Sequence, residues 1–246
     1  NGYNQLMVSG GSYAHTTCSH EDITTSIPTL TSSLADACGV LRIRTVYTST
    51  LPNIPSQTID LTFAQAVTMG PQTISPENNT GIIQTITFVT TPYYDVNNNN
   101  NYDLGTDVDG SPTTFVLTVN PAPMVSFGFN GVEAGHNASF AYCYNEPVGV
   151  TLFANYGGTA PFSVTYTLDG GTPVTVNGLN VGSTIVPAQL YAAGDHNVVV
   201  TNITDVNGCQ ASPAFLAYCT ATVTINAEPM VSFGFNGVEA GHNASF

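Results

Sequence analysis

The chain has 246 residues, a formal net charge of −14 and only two permanently cationic side chains, Arg42 and Arg44. Such a surface cannot gather nucleic-acid phosphates or an anionic membrane, and the absence of lysine excludes Lys–Asn isopeptide crosslinks. Trp is absent and strong helix formers are scarce, while Gly, Asn, Thr, Ser and Val dominate; this is the composition of strands and turns.

Near the start, His15, Cys18 and His20 are close enough to suggest a transition-metal site, but three ligands without a fourth read better as a polar loop. The nearest approach to a helical period is the short run 30–37. Strand patterns follow. Leu41, Ile43 and Tyr47 alternate with Arg42, Arg44 and Val46; Ile59, Leu61 and Phe63 alternate with Asp60 and Thr62. Ile86 and Phe88, then Phe115, Leu117 and Val119, continue the period of two.

Between those last strands lies the strongest local motif, a run of Asn and Asp from Asp95 to Asp109. Oxygen-bearing side chains at alternate positions resemble the first half of a calcium loop. The expected ligands are Asp95, Asn97, Asn99, Asn101, Asp103 and Asp107. Asn100 stands where such loops carry Gly, and Thr106 where they carry a bidentate Glu. Two readings therefore stay open, a calcium site and a solvated polar hairpin.

From residue 123 the chain begins a segment that it later repeats. Residues 123–140 read PMVSFGFNGVEAGHNASF, and residues 229–246 are the same residue for residue. Such self-similarity is the mark of an array of modules. It predicts a first module over 1–122, a second over 123–228, and the opening strand of a further copy over 229–246. In the second module Val148, Val150 and Leu152 share a face. Phe162, Val164, Tyr166 and Leu168 make the cleanest alternation, with Ser163, Thr165 and Thr167 opposite. Asp169-Gly170-Gly171 turns the chain into Val174 and Val176. Residues 198–203, then Ala221, Val223 and Ile225, close the module. Both module ends run from a strand into a short proline-bearing joint, at Pro121 and Pro123 and again at Pro229, which should be semi-rigid. Six to eight short strands per ~100 residues predict an all-β chain of tandem antiparallel β-sandwiches.

The run from Gly157 to Tyr166 (GGTAPFSVTY) resembles a stretch of PKD-like and Ig-like repeats, as does Ile203 to Cys209 followed by the closing Thr224-Ile225-Asn226. Such repeats occur in very large cell-surface and secreted proteins of Bacteroidota-type bacteria. Residues 95–107 and 111–121 resemble a divergent sister type. The resemblance implies an extracellular sandwich used as spacer, adhesin or fibre, with no catalytic residues.

No catalytic constellation assembles from the residues themselves. There is no GxSxG context and no Gly-rich phosphate loop. Asn78, Asn137, Asn202 and Asn243 match the N-glycosylation pattern, which comes readily in so Thr- and Asn-rich a chain. His136 recurs as His242 and is expected to serve a turn. The five cysteines form no CxxC pair and suit an oxidising, extracellular setting. Cys18–Cys38 is the expected bridge of the first module. In the second, Cys209–Cys219 leaves Cys143 over; the rival is Cys143–Cys209 with Cys219 free.

The expected role is a structural module of a surface fibre or filament, not an enzyme. Its expected partners are copies of itself or further repeats in a linear head-to-tail array, with no nucleic acid and no membrane insertion. Val231, Phe233 and Phe235 are the expected assembly residues, because their alternation has no following strands to cover it. The absence of an initiator Met at Asn1 points to a processed or partial chain. An adhesin binding glycans or a partner surface, and accessory domains of a secreted hydrolase, are the alternatives.

Overall fold

A computed structural model describes residues 7–9, 13–24, 29–31, 39–62, 64–65, 73–135, 137–231, 233–235 and 238–240. Cys38, Phe63, His136, His242 and most of the 30–37 run fall outside them. The described chain is all-β apart from single helical turns such as Pro213–Leu216, and no helix in it is long and apolar enough to cross a membrane. It divides into two compact units. The first holds Asn1–Met124 with Tyr156–Thr159 and Thr204–Ser212; the second holds Val125–Asn155, Ala160–Ile203 and Pro213–Phe246.

Strands of the first unit are β1 (Met7–Ser9), β2 (Tyr13–Cys18), β3 (Ile23–Thr24), β4 (Thr29–Thr31), β5 (Val40–Ser49), β6 (Gln57–Thr62), β7 (Thr73–Ile74), β8 (Gln84–Asp95), β9 (Val108–Asp109) and β10 (Thr113–Asn120). The main sheet runs β2-β10-β8-β5-β6, with β9 against β8. All its pairs are antiparallel except β2 with β10, which are parallel. The alternation of β10 is what builds the core: Leu117 and Val119 are fully buried with Ile86 and Leu51. Phe115 and Phe88 sit beside them with rings 5.6 Å apart. Ile23 of β3 and Ile74 of β7, a paired couple, cover this face. Segment 156–159 is fitted tightly into the unit. Gly81 has φ +79°, and a Cβ there would strike the carbonyl oxygen of Tyr156.

The remaining strands, which belong to the second unit except for Met124, residues 156–157 and Thr204, are β11 (Met124–Phe129), β12 (Val132–Ala134), β13 (Ala138–Tyr142), β14 (Val148–Gly157), β15 (Phe162–Leu168), β16 (Val174–Leu179), β17 (Thr184–Gln189), β18 (Gly194–Thr204), β19 (Thr220–Ile225), β20 (Phe233–Phe235) and β21 (Val238–Ala240). One sheet runs β12-β11-β14-β17 and the other β13-β19-β18-β15-β16. Their apolar faces meet as a sandwich: Val125, Phe127 and Phe129 from β11 and Val148, Val150 and Leu152 from β14 are buried, as are Phe162, Val164 and Tyr166 from β15. Phe129 of one sheet stacks on Phe140 of the other at 4.9 Å. Asp169 and Gly170 both take positive φ, 51° and 67°, so the β15–β16 connection is a hairpin turn of the kind that Asp-Gly favours. The second copy of the repeat, β20–β21, pairs Phe233 with Ala240 and Phe235 with Val238. The first copy pairs Phe127 with Ala134 and Phe129 with Val132, the same register. There β11 also lies beside β14, whereas β20–β21 forms a sheet of two strands alone among the described residues. Val231 ahead of it is exposed.

Next to the Asp-Gly turn, His196 Nδ1 lies 2.8 Å from Asp169 Oδ2 and its Nε2 lies 2.9 Å from the Ala192 carbonyl. Only the imidazolium donates to both. The Asp169 bond raises the His196 pKa, and the same bond from His196 lowers that of Asp169. A raised histidine stabilises below its unfolded pKa and loses its effect as pH rises through the folded value. A lowered carboxylate stabilises above its unfolded pKa and loses its effect as pH falls. The pair therefore acts between roughly pH 4 and 6.5. Because Asp169 is 44% exposed, we expect only about 0.5 kcal/mol. His196→Gln should lower the urea midpoint near pH 5.5 and leave it unchanged near pH 8.5; equal losses at both would show that no charge is involved.

Candidate functional site

Two features stand out: the Asn/Asp loop and the cysteine-bearing strand end. The loop leaves β8 at Asp95 and returns through β9, where Asp109 pairs with Tyr93. Asp95 is fully buried. Its Oδ1 accepts from the Asn99 N–H at 3.2 Å and its Oδ2 from the Asn100 N–H at 2.9 Å. Asp107 accepts from the backbone N–H of Val96 at 3.0 Å and of Asp103 at 2.7 Å. Asp103 Oδ2 accepts from the side-chain amides of Asn97 and Asn99 at 2.9 and 2.5 Å. Asn101 turns its amide onto the Asn99 carbonyl at 3.2 Å. Asn98 and Asn100 supply the left-handed φ values, 55° and 66°, that asparagine tolerates best after glycine. The six expected ligands are thus gathered in one loop, with Asp95, Asp103 and Asp107 satisfied by N–H groups. As arranged, amide nitrogens rather than oxygens face Asp103. Among the described residues no group of three His, Cys, Asp or Glu side chains is placed to hold a metal ion.

The loop is clamped to the sheet by the chain's two arginines. Alternation places Arg42 on the polar face of β5, yet it is only 5% exposed because the loop folds over it. Its Nε donates to Asp60 Oδ1 at 2.9 Å and to the Tyr93 hydroxyl at 3.0 Å, and its Nη1 to Asn100 Oδ1 at 3.0 Å. The Tyr93 hydroxyl donates onward to Asp60 Oδ2 at 2.7 Å. Burial, reinforced by Asp60, pushes the Tyr93 pKa far up, so the phenol stays a donor. Tyr102, edge-on to Tyr93, lies under the Arg44 guanidinium at 4.5 Å and donates to Asp109 at 2.7 Å.

The strand end is β2. Cys18 is bonded to Cys209, with Cα atoms 5.2 Å apart. This corrects the expected Cys18–Cys38 and Cys209–Cys219 bridges, and the rival Cys143–Cys209. The reason is tertiary: Cys209 sits in segment 204–212, which belongs to the first unit, while Cys219 follows a helical turn into the second unit. Cys219 is a buried thiol donating to the Phe215 carbonyl at 3.4 Å, and Cys143 is an exposed thiol. With Cys18 oxidised, the His15–Cys18–His20 metal reading lapses. Cys209 is held by a tight turn: Asp205 Oδ1 accepts from the N–H of Asn207 and of Cys209, both at 2.9 Å, and Oδ2 from that of Thr159 at 3.0 Å. After Cys18 the chain turns through His20, at φ 64°. Glu21 closes that turn, accepting from Thr17 Oγ1 at 2.6 Å and Cys18 N–H at 3.1 Å, which hold its pKa down. Sequence reasoning missed this arrangement, although a signal was available: Asp-Val-Asn occurs at 95–97 and at 205–207, and Cys-x-x-Glu at 18–21 and 143–146.

No protein-family model matches the chain, and no curated protein matches it. Among solved structures it is similar to the calcium-binding domain CBD12 of CALX1.1, at 10% identity over 87% of this chain and 97% of that one, with a TM-score of 0.27. CBD12 from CALX1.2 is matched at 9% identity over the same shares, with a TM-score of 0.26. Likeness at this level carries no statement about what this chain binds.

Proposed function

We propose that the chain is a structural segment of an extracellular filament or stalk built from tandem β-sandwiches of the PKD-like and Ig-like kind, with no catalytic role. The observation that carries this is the β20–β21 hairpin. It repeats β11–β12 in sequence and register, and among the described residues it has no counterpart of the β14 strand that lies beside the first copy. Such a hairpin is an opening waiting for the rest of a sandwich, either further along an array or in a neighbouring copy by strand addition. Contacts of this kind are heterologous and propagate linearly unless a rotation closes a ring. The disulfide fits an oxidising compartment. Sedimentation of residues 1–229 beside 1–246 tests the reading. The longer chain is expected to associate end to end with rising concentration; two compact monomers would refute it.

Within this reading the 95–109 loop takes calcium weakly. Its carboxylates and amides are the hard oxygen donors that calcium prefers, once Asn97 and Asn99 turn their amide oxygens toward Asp103. Calcium should raise the melting temperature by a few degrees over chelator. Superimposed melts would leave the loop a polar turn stabilised by its own amides.

A further inference from the structure

We propose that Cys143 is one half of a module-to-module disulfide whose other half is the cysteine of an Asp-Val-Asn-Gly-Cys turn in the module that follows. This rests on the tandem-array reading and adds a covalent bond to it.

The two large sheets are the same object built twice. Order β2-β10-β8-β5-β6 in one unit corresponds to β13-β19-β18-β15-β16 in the other. Around β10 and β19 the registers agree. Leu117 pairs with Ile86 on one side and, in parallel, with His15 on the other. Val223 pairs with His196 on one side and, in parallel, with Phe140 on the other. His15 and Phe140 are therefore equivalent, and three residues on, so are Cys18 and Cys143. The turns that follow confirm the match atom by atom. Glu21 Oε2 accepts from the Cys18 N–H at 3.1 Å, and Glu146 Oε2 from the Cys143 N–H at 3.2 Å. The Glu21 and Glu146 N–H groups donate back to the Cys18 and Cys143 carbonyls at 3.3 and 3.2 Å. His20 and Asn145 take the same left-handed φ, 64° and 66°. At the first of these two equivalent positions the sulfur is bonded; at the second it is an exposed thiol.

The partner turn is also built twice, but only one copy carries sulfur. Asp95 Oδ1 accepts from the Asn99 N–H as Asp205 Oδ1 accepts from the Cys209 N–H, so Asn99 stands where Cys209 does. The turn at 95–99 thus has no cysteine to give. Cys209 lies with Cys18 in the first unit, in the segment 204–212 that the chain reaches only after most of the 123–228 stretch. In the tandem-array reading, a 205–209-like turn of a following module would stand to Cys143 as the 205–209 turn stands to Cys18. Cys219 cannot substitute: it is buried, and burial pushes its thiol up to about 11.

Chemically, the Cys143 thiol and the partner thiol give up two protons and two electrons. A small or protein disulfide accepts them and leaves as two thiols, by way of a mixed disulfide that the second thiolate displaces.

The test extends the full chain, 1–246, by a second copy of 141–228, which completes the repeat as a third module. The protein is folded in a glutathione/glutathione-disulfide buffer, and its disulfides are mapped without reduction. Cys18–Cys209 and a bond from Cys143 to the added turn are expected together, with alkylation of Cys143 at least about tenfold slower than in the 246-residue chain. Cys143→Ser in the extended chain should leave the added turn's cysteine open to iodoacetamide. A folded, elongated three-module protein in which Cys143 still alkylates at the original rate, or links to Cys143 of another chain, overturns the bond and leaves the array standing. An added module that does not fold overturns both.

Discussion

Arg42→Ala is expected to destabilise the first unit by about 3 kcal/mol and to free the 95–109 loop. Removing one partner of a buried ion pair typically costs about 3–5 kcal/mol, because the remaining charge is left without compensation. The low end applies here, since the Asp60 side chain keeps 23% of its exposure and still accepts from the Tyr93 hydroxyl. Three acceptors lose the same donor at once: Asp60, the Tyr93 oxygen and Asn100. The Asn100 bond ties the loop to β5, so amide exchange at 96–103 should accelerate beyond the rest of the unit. Arg42→Lys restores the charge without the planar fork and should recover only part of the loss. Urea unfolding at neutral pH measures it. A cost under about 0.5 kcal/mol, the level of an ordinary surface change, would show that the guanidinium does not hold the loop.

The second large effect sets the two repeat copies against each other. Phe129→Ala should cost about 3–5 kcal/mol, the usual loss for a buried Phe, because its ring is 1% exposed and stacks on Phe140 across the sandwich. Phe235→Ala is the same change in the same hairpin register. In the isolated 246-residue chain it should leave urea unfolding unchanged, since β20–β21 has no third strand among the described residues. It should instead abolish end-to-end association. Equal destabilisation by both substitutions would mean that the second hairpin packs within its own chain, and the array reading would fall.

Period-two alternation is local, so the sequence alone determined the all-β class and most strands. Phe162, Val164 and Tyr166 were legible as a buried face, and Asp169-Gly170 as a turn, because each is decided by neighbours within a few residues. The repeat was legible because identity needs no folding to be seen. What only the tertiary structure decided involves residues far apart in the chain. The parallel pairing of β2 with β10 brings together segments that no hairpin links. The disulfide joins cysteines 191 residues apart, a distance over which spacing says nothing about proximity. Arg42 read as an outward residue of an alternating strand; a loop more than fifty positions later buried it and gave it Asn100 as a partner. The loop itself was legible as a gathering of oxygen ligands. Whether amide oxygens or amide hydrogens face the carboxylates depends on side-chain rotation within the folded loop, and composition does not encode that rotation.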